Sequence, residues 1–157
     1  MTTSIFQALD IVPFWARMND TLVKLVDNIP DDKLNWSPKP ELWNFKGILI
    51  HICGARHNWL GRDVQDGQPS PDVIREGQSK EAIKRHLDLS WQRLERFLSN
   101  REQVAASYES EHEDGSRHTH SGHWIAYHLL EHDIHHRSDL FHYLALLGIE
   151  HPDVGTP

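Results

Sequence analysis

The stretch SGHWIAYHLLEHDIHHRSDLFHYLALLG, residues 121–148, decides the fold class of this chain. Ser121 is a good N-cap residue, because its hydroxyl oxygen can accept a backbone N–H of the first helical turn. Gly148 suits the position just after a helix, where a left-handed residue ends the last turn. The intervening residues contain no proline, so they are predicted to form one helix of roughly 26 residues.

Three histidines of this helix, His128, His132 and His136, follow one another at steps of four residues. Such a step turns the helix by about 400°, so the three imidazoles project from one face. Adjacent members can bind one metal ion, whereas the outer two lie about 12 Å apart along the axis. The stretch therefore contains two candidate pairs that share His132, and either pair needs a further ligand from elsewhere.

His51 is the natural further donor, because it lies within an otherwise apolar run of the predicted second helix. An inward-facing imidazole needs a partner there, since an unpaired buried polar group costs about 1–3 kcal/mol. Taken alone, His51 is better explained as a core histidine bonded to a backbone carbonyl. Taken together with a histidine pair on a facing helix, it favours a metal site.

Apolar residues at steps of three or four predict three more helices. The first uses Ile5, Phe6 and Leu9 and runs to about residue 29, with Pro13 expected to bend it or delay its start. The second covers residue 45 to residue 63 or 64 after an Asn44 cap, and the third follows a Ser79 cap to about residue 100.

The segments between these helices are predicted to be connections. Residues 31–43 carry two prolines, and their apolar side chains are expected to pin them to the body: Leu34, Trp36 and Trp43. Residues 101–120 are predicted to be a polar loop with a turn at 114–116 and a short extended piece at 104–108. Since no strand pattern is convincing, we expect an all-α protein. It is predicted to be a single-domain four-helix bundle over residues 1–157, with long connections after helices 1 and 3.

Composition narrows the function classes. The chain has 157 residues and a net charge of -7, which disfavours a nucleic-acid partner because such binding needs a basic face. A single cysteine, Cys53, excludes an intramolecular disulfide and a CxxC site, and we expect it to be a buried small residue outside the site. No run approaches the ~20 apolar residues of a membrane helix, and no signal peptide is evident, so we expect a cytoplasmic protein without a membrane partner.

The segment His132-Asp-Ile-His-His136-Arg137-Ser138-Asp139 resembles the fourth-helix signature of the DinB/YfiT-like metalloprotein superfamily. The likeness extends over nearly the whole chain, including Trp43-Asn-Phe and the run from His51 to Trp59. Ser138 and Asp139 stand where the family usually has Gly and Gln. The resemblance implies that His51, His132 and His136 are the metal ligands, with His128 outside the set. It also implies a DinB-like bundle that is not simply up-and-down, and a homodimer.

Three neutral imidazoles suit Zn2+, Ni2+ or Fe2+ and leave open positions for a small-molecule substrate. The resemblance implies a metal-dependent enzyme, since relatives include transferases and isomerases that use low-molecular-weight thiols. We expect a metal-dependent transferase or hydrolase. The alternative is a noncatalytic metal-binding or stress-response protein. The sequence lacks the two helical ExxH motifs of a di-iron site, which disfavours that class. It also lacks the HExxH motif of a zincin protease.

The sequence also predicts partners or burial for several other side chains. Glu131 and Asp139 are candidates to accept hydrogen bonds from ligand histidines, although solvent-facing salt bridges explain them better. Arg137 is expected to pair with a nearby acid rather than with an anionic substrate group. The tryptophans of the four helices are expected to share core packing: Trp15, Trp59, Trp91 and Trp124. The loop histidines His118, His120 and His123 are expected to be solvated, and six others to be surface residues: His57, His86, His112, His135, His142 and His151.

Overall fold

The computed structural model describes residues 11–154 and is mostly helical. Its four long helices are α1 (Ile11–Asn28), α2 (Phe45–Asn58), α4 (Lys80–Ser99) and α6 (Gly122–Leu146). Two short helices, α3 (Val73–Glu76) and α5 (Arg101–Ala105), and two strands, β1 (Ser107–Glu111) and β2 (Arg117–Ser121), lie between them. Within residues 11–154, no helix combines the length and apolar character needed to cross a membrane.

The first helix buries the predicted apolar face. Trp15, Met18 and Leu22 are almost fully buried, and Pro13 lies inside the helix near the start of its described part. Ile5, Phe6 and Leu9, which the sequence analysis assigned to the same helix, lie outside the described residues.

The connector after α1 includes a 3-10 turn, Asp31–Lys33, and is pinned to the body as predicted at two of its three apolar residues. Leu34 is buried, and the ring of Trp36 packs edge-on against that of Tyr143 at 5.8 Å between centroids. Trp43 is attached less completely: its residue surface is 52% exposed, but its ring contacts that of His51. Its backbone oxygen also accepts a hydrogen bond from the Tyr143 hydroxyl at 3.0 Å.

The second, third and fourth predicted helices begin at the predicted caps. The side chains of Asn44, Ser79 and Ser121 each accept a backbone N–H three residues later, at 2.8 to 3.1 Å. The second helix continues past Asn58 into a π-helical turn, Trp59–Asp63, which ends where the sequence predicted the helix to end. Gly148 follows α6 with φ +70°, as a left-handed C-terminal glycine should.

The prediction that no strand is present was wrong. Residues 107–111 and 117–121 form an antiparallel hairpin in which Glu109 pairs with Thr119. Both strands are largely exposed, so they lack the alternation of apolar and polar residues that reveals a half-buried strand. The predicted turn at 114–116 is confirmed: Gly115 has φ +78°, and the Ser116 amide donates to the Asp114 side chain at 2.9 Å.

The long helices place the core and the site. Helix α4 packs against both α1 and α2, and α2 also packs against α6. One group of buried apolar residues surrounds Ile48, Leu49 and Ile52 of α2, and a second surrounds Trp15 and Trp91, whose rings lie 6.0 Å apart. Since α2 and α6 face each other, inward side chains of these two helices can meet.

Candidate metal centre

Three histidines meet where α2 faces α6. His51 lies in the middle of α2, and His132 and His136 lie one turn apart in the middle of α6. Their candidate ligand atoms all lie within 4.8 Å of one another. The ring centroids form a near-equilateral triangle with sides of 4.6, 4.9 and 4.6 Å. The structure therefore brings together the three residues that the sequence analysis selected; their role as ligands stays a prediction.

The protonation states of this group suit a metal ion. The Nε2 atoms of His132 and His51 lie 2.8 Å apart, so at most one of them carries a proton along that line. Burial, followed by the charges of His132 and His136, lowers the pKa of His51 to about 4. Burial also lowers the pKa of His136. His51 and His136 are therefore neutral near pH 7, which is the form that binds a metal.

Two carboxylates lie behind the α6 histidines. The Nδ1 atom of His136 lies 3.2 Å from the Asp139 carboxylate, which leaves Nε2 available to a metal. The Nδ1 atom of His132 lies 3.6 Å from Oδ1 of Asp133, and neither of these buried atoms has a hydrogen-bond partner among residues 11–154. A carboxylate behind a histidine fixes its tautomer and raises its basicity as a ligand. Asp139 therefore lies beside a candidate ligand histidine, the position for which both acids were candidates, whereas Glu131 is exposed.

Sequence reasoning did not select Asp133, which proves to be fully buried. Its Oδ2 atom accepts from Arg56 Nη2 at 2.8 Å, from Arg56 Nε at 3.0 Å and from Trp15 Nε1 at 2.9 Å. Burial raises the pKa of Asp133, but the Arg56 charge and the donated hydrogen bonds outweigh it, so the net pKa is lowered. The site therefore rests on a buried ion pair.

The arginine of this pair is satisfied on its other side. Its Nη1 atom donates to Asn19 Oδ1 at 2.8 Å and to Ser90 Oγ at 3.2 Å, so α1, α2 and α4 all contribute to the network. A signal was present in the sequence. Arg56 continues the apolar stripe Ile48–Ile52 of α2, just as Asp133 continues Ile125–Leu129 of α6. Opposite charges on two facing apolar stripes indicate a buried pair.

His128 lies outside the three-histidine group, as the resemblance implied. Its ring stacks on Trp124 at 5.0 Å and meets Trp59 edge-on at 4.8 Å, and its centroid is 6.5 Å from that of His132. A second group, His135, His136 and Asp139, also has ligand atoms within 4.8 Å of one another. That group shares His136, but His135 has an exposed side chain, so the half-buried three-histidine group is the better candidate.

Several expectations for neighbouring residues were wrong. His57 and His86 were expected at the surface but are buried, with 4% and 1% of their surfaces exposed. Trp124 was expected in the core but is 43% exposed. Arg137 was expected to pair with an acid; its guanidinium instead lies 5.6 Å from the centre of the Phe141 ring, and no ion pair to it occurs within residues 11–154.

Cys53 is buried, as predicted, and lies outside the three-histidine group. Burial raises the pKa of its thiol to about 12, so the thiolate that would bind a metal is strongly disfavoured.

Two histidines of the three-histidine group open on a cavity of about 870 Å3. His51 and His132 lie in its wall, together with Trp43, Trp59 and His128. The ring of Trp43 meets that of His51 edge-on at 4.4 Å and stacks on that of His136 at 6.1 Å. A ligand in the cavity would therefore reach the histidines beside the exposed Trp43 indole.

Fold and site together define a largely helical protein with a cluster of three histidines that can hold a metal ion. The chain belongs to the DinB family, whose model matches residues 1–157. It is also similar to the crystal structure of a DinB-like protein (YjoA) from Bacillus subtilis, with a TM-score of 0.69 and 18% identity. That match covers 94% of this chain and 99% of the other, and at this identity it supports the fold alone. No curated protein matches the chain significantly.

Proposed function

We propose that this protein is a DinB-like four-helix bundle that binds one divalent transition metal through His51, His132 and His136. The observation that carries the proposal is the approach of three half-buried imidazoles from two helices to within 4.8 Å. Imidazole donors favour Zn2+, Ni2+ or Fe2+ over Mg2+ or Ca2+. Three protein ligands leave coordination positions open, and a closed structural zinc site would use four.

The proposal extends to a metal-dependent enzyme, in which a small thiol or water reacts with a substrate held in the cavity. When bound, the metal supplies Lewis-acid activation of that thiol or water. The chain's own residues orient the site: Asp139 holds the His136 ring, and Asp133 lies behind His132. The exposed Trp43 shields one side of the histidine group from water. The alternative is a binding protein in which the same metal stabilises the helices without turnover.

Metal titration of single variants tests the ligand assignment. His51→Ala, His132→Ala and His136→Ala should each weaken Zn2+ or Ni2+ binding by at least about a hundredfold, since two imidazoles remain in each case. His128→Ala is the matched control on the same face of α6 and should change the affinity by less than about threefold. Strong loss in His128→Ala together with retention in His136→Ala would refute the assignment.

Turnover separates the enzyme from the binding protein. Metal-loaded protein should be screened with low-molecular-weight thiols against a panel of electrophiles, with the triple His→Ala variant as control. Thiol consumption that requires the three histidines supports the enzyme. Metal binding without histidine-dependent turnover favours the noncatalytic alternative.

A further inference from the structure

The cavity beside the three histidines has the dimensions of a small-molecule site. Its volume of about 870 Å3 lies within the range of roughly 300–1,000 Å3 that ligand pockets occupy. One wall is formed by α2, from Lys46 to Asn58, and another by residues 70–74. His51 lies on the first wall, so a molecule in the cavity has direct access to the proposed metal site.

The charges in the wall favour an anionic occupant, although the chain as a whole has a net charge of -7. The formally charged residues in the wall are Lys46, Arg62 and Asp72. Arg62 is neutralised by Asp63 at 2.8 Å, and the Asp72 carboxylate caps α3 by accepting the Arg75 amide at 3.1 Å.

Lys46 is the cation that lacks an acidic partner. Its Nζ donates to the side-chain oxygen of Gln78 at 3.0 Å, and no carboxylate of residues 11–154 pairs with it. The amide oxygen leaves the positive charge uncompensated, and an ammonium keeps two further donors. A carboxylate bound here would form a charge-assisted hydrogen bond.

The rim of the cavity is apolar and exposed. Leu42, Trp43 and Ile74 lie in the wall with 47%, 52% and 74% of their surfaces exposed. Burial of such surface contributes about 25 cal/mol per Å2, so an occupant with an apolar body gains affinity from the rim. Three large apolar residues around one opening mark a binding site better than singly scattered ones do.

Gly54 keeps the floor of the cavity open. A Cβ atom at this position would meet no heavy atom within 4 Å, and the residue lies in the cavity wall. Gly54 follows His51 by three residues, about 4.5 Å along the axis, and Lys46 precedes His51 by five residues, about 7.5 Å. Because Lys46, His51 and Gly54 all line this cavity, a molecule with an acid at one end can bind Lys46 and place its apolar body beside the histidines and over Gly54.

We infer that the cavity binds a small organic acid with an apolar body, its carboxylate on Lys46 and its apolar part under the Leu42, Trp43 and Ile74 rim. Such an acid would be the substrate class of the proposed site. Its identification as the substrate rests on the proposed function. The recognition itself uses residues that are not metal ligands, so it is a property of the metal-free protein as well.

Binding of two probes that differ only in charge tests this inference. We would titrate metal-free and metal-loaded protein with 4-phenylbutanoate and with 4-phenylbutanamide, following the indole NMR signals of Trp43 and Trp59. The acid should bind about fivefold more tightly than the amide, as expected for a partly exposed ion pair. Lys46→Gln should remove that preference, whereas the control Lys24→Gln, outside the cavity wall, should retain it. Gly54→Phe should abolish binding of both probes, and Gly54→Ala should keep it.

Equal affinities for acid and amide, or a preference that survives Lys46→Gln, would overturn the inference. Binding of both probes to Gly54→Phe with unchanged affinity would also overturn it, because the probes would then occupy another surface. A failure of the proposed function has a different signature: the metal-free protein would prefer the acid but take up no Zn2+ or Ni2+. Failure of this inference alone would leave metal affinity unchanged.

Discussion

The Nε2 atom of His132 lies 2.8 Å from the Nε2 atom of His51, although 81 positions separate the two residues in the chain. This contact joins α2 to α6 at the point where His136 completes the group. Two nitrogen atoms at that distance share one proton or one metal ion, because two N–H groups pointing at each other would repel. The two helices therefore hold the candidate ligand nitrogens of the three histidines close together.

The carboxylate behind His136 should tune metal affinity. Asp139→Asn keeps the side-chain shape but removes the negative charge, so the His136 imidazole becomes a weaker ligand. We expect metal affinity to fall about tenfold with little change in the free energy of unfolding. Competition with a chelator measures the affinity. Glu131→Gln, an exposed change on the same helix, should have no effect, and equal loss in both variants would contradict the role of Asp139.

The Arg56–Asp133 pair should dominate the stability of the helix packing. Asp133→Asn leaves a fully buried guanidinium without its counterion, and breaking such a pair costs about 3–5 kcal/mol. Urea unfolding of the metal-free protein measures this loss. Asp27→Asn, which breaks the exposed pair with Lys84, should cost less than about 1 kcal/mol. Similar losses in the two variants would show that the buried pair contributes no more to stability than the exposed pair does.

Two glycines should respond to alanine in opposite directions. Gly54→Ala should raise the free energy of unfolding by about 0.5–1 kcal/mol, because the helix interior gains a methyl group in open space. Gly122→Ala should lower it by about 1–3 kcal/mol, since the new Cβ would lie 2.4 Å from the Gln103 carbonyl oxygen. Thermal unfolding compares the variants, and a stable Gly122→Ala protein would contradict the close approach of α5 to α6.

Acid should destabilise the protein partly through His57. Arg93 can only donate, so the contact of 3.0 Å to His57 Nδ1 requires that nitrogen to accept and the ring to be neutral. Burial, followed by the charge of Arg93, lowers the pKa of His57 to about 4 from a usual 6.5. The unfolded chain therefore binds the proton first, and stability falls as the pH drops from 6.5 towards 4.

The control for this effect is a variant that cannot titrate at the same position. In His57→Gln, the free energy of unfolding should decline less steeply between pH 6.5 and pH 4 than in the unsubstituted protein, while other groups titrate in both. Equal slopes in the two proteins would show that folding does not lower the pKa of His57.

The long helices could be predicted because their information is local. Caps such as Asn44, Ser79 and Ser121 and the apolar spacing act within a few residues, and each predicted cap was confirmed. The hairpin of residues 107–121 could not be predicted in this way, because its polar strands are stabilised by pairing with each other. Its anchors, such as the hydrogen bond from Ser110 to Asp63, join distant parts of the chain.

The same distinction between local and long-range information applies to the site. The spacing of His132 and His136 is a property of one helix, and His51 could be selected as a histidine within an apolar run. The choice of this pair over His128 came from a family resemblance. The network of Asp133 and Arg56 depends on two facing helices and could be recognised only as charges interrupting apolar stripes. The burial of His57 and His86 could not be predicted in this way, because residues 64–79 supply the acidic partners of Arg93 and His86 from a different part of the chain.

X-ray absorption spectroscopy of the metal-loaded protein tests the central claim most directly, because it counts the ligand types around the metal. The account predicts one Zn2+ or Ni2+ per chain with three imidazole nitrogens at about 2.0–2.1 Å and no sulfur, the remaining positions being filled by light atoms of solvent or buffer. His136→Ala should lower the imidazole count to two or abolish binding. A sulfur ligand, or an imidazole count unchanged in His136→Ala, would contradict the account.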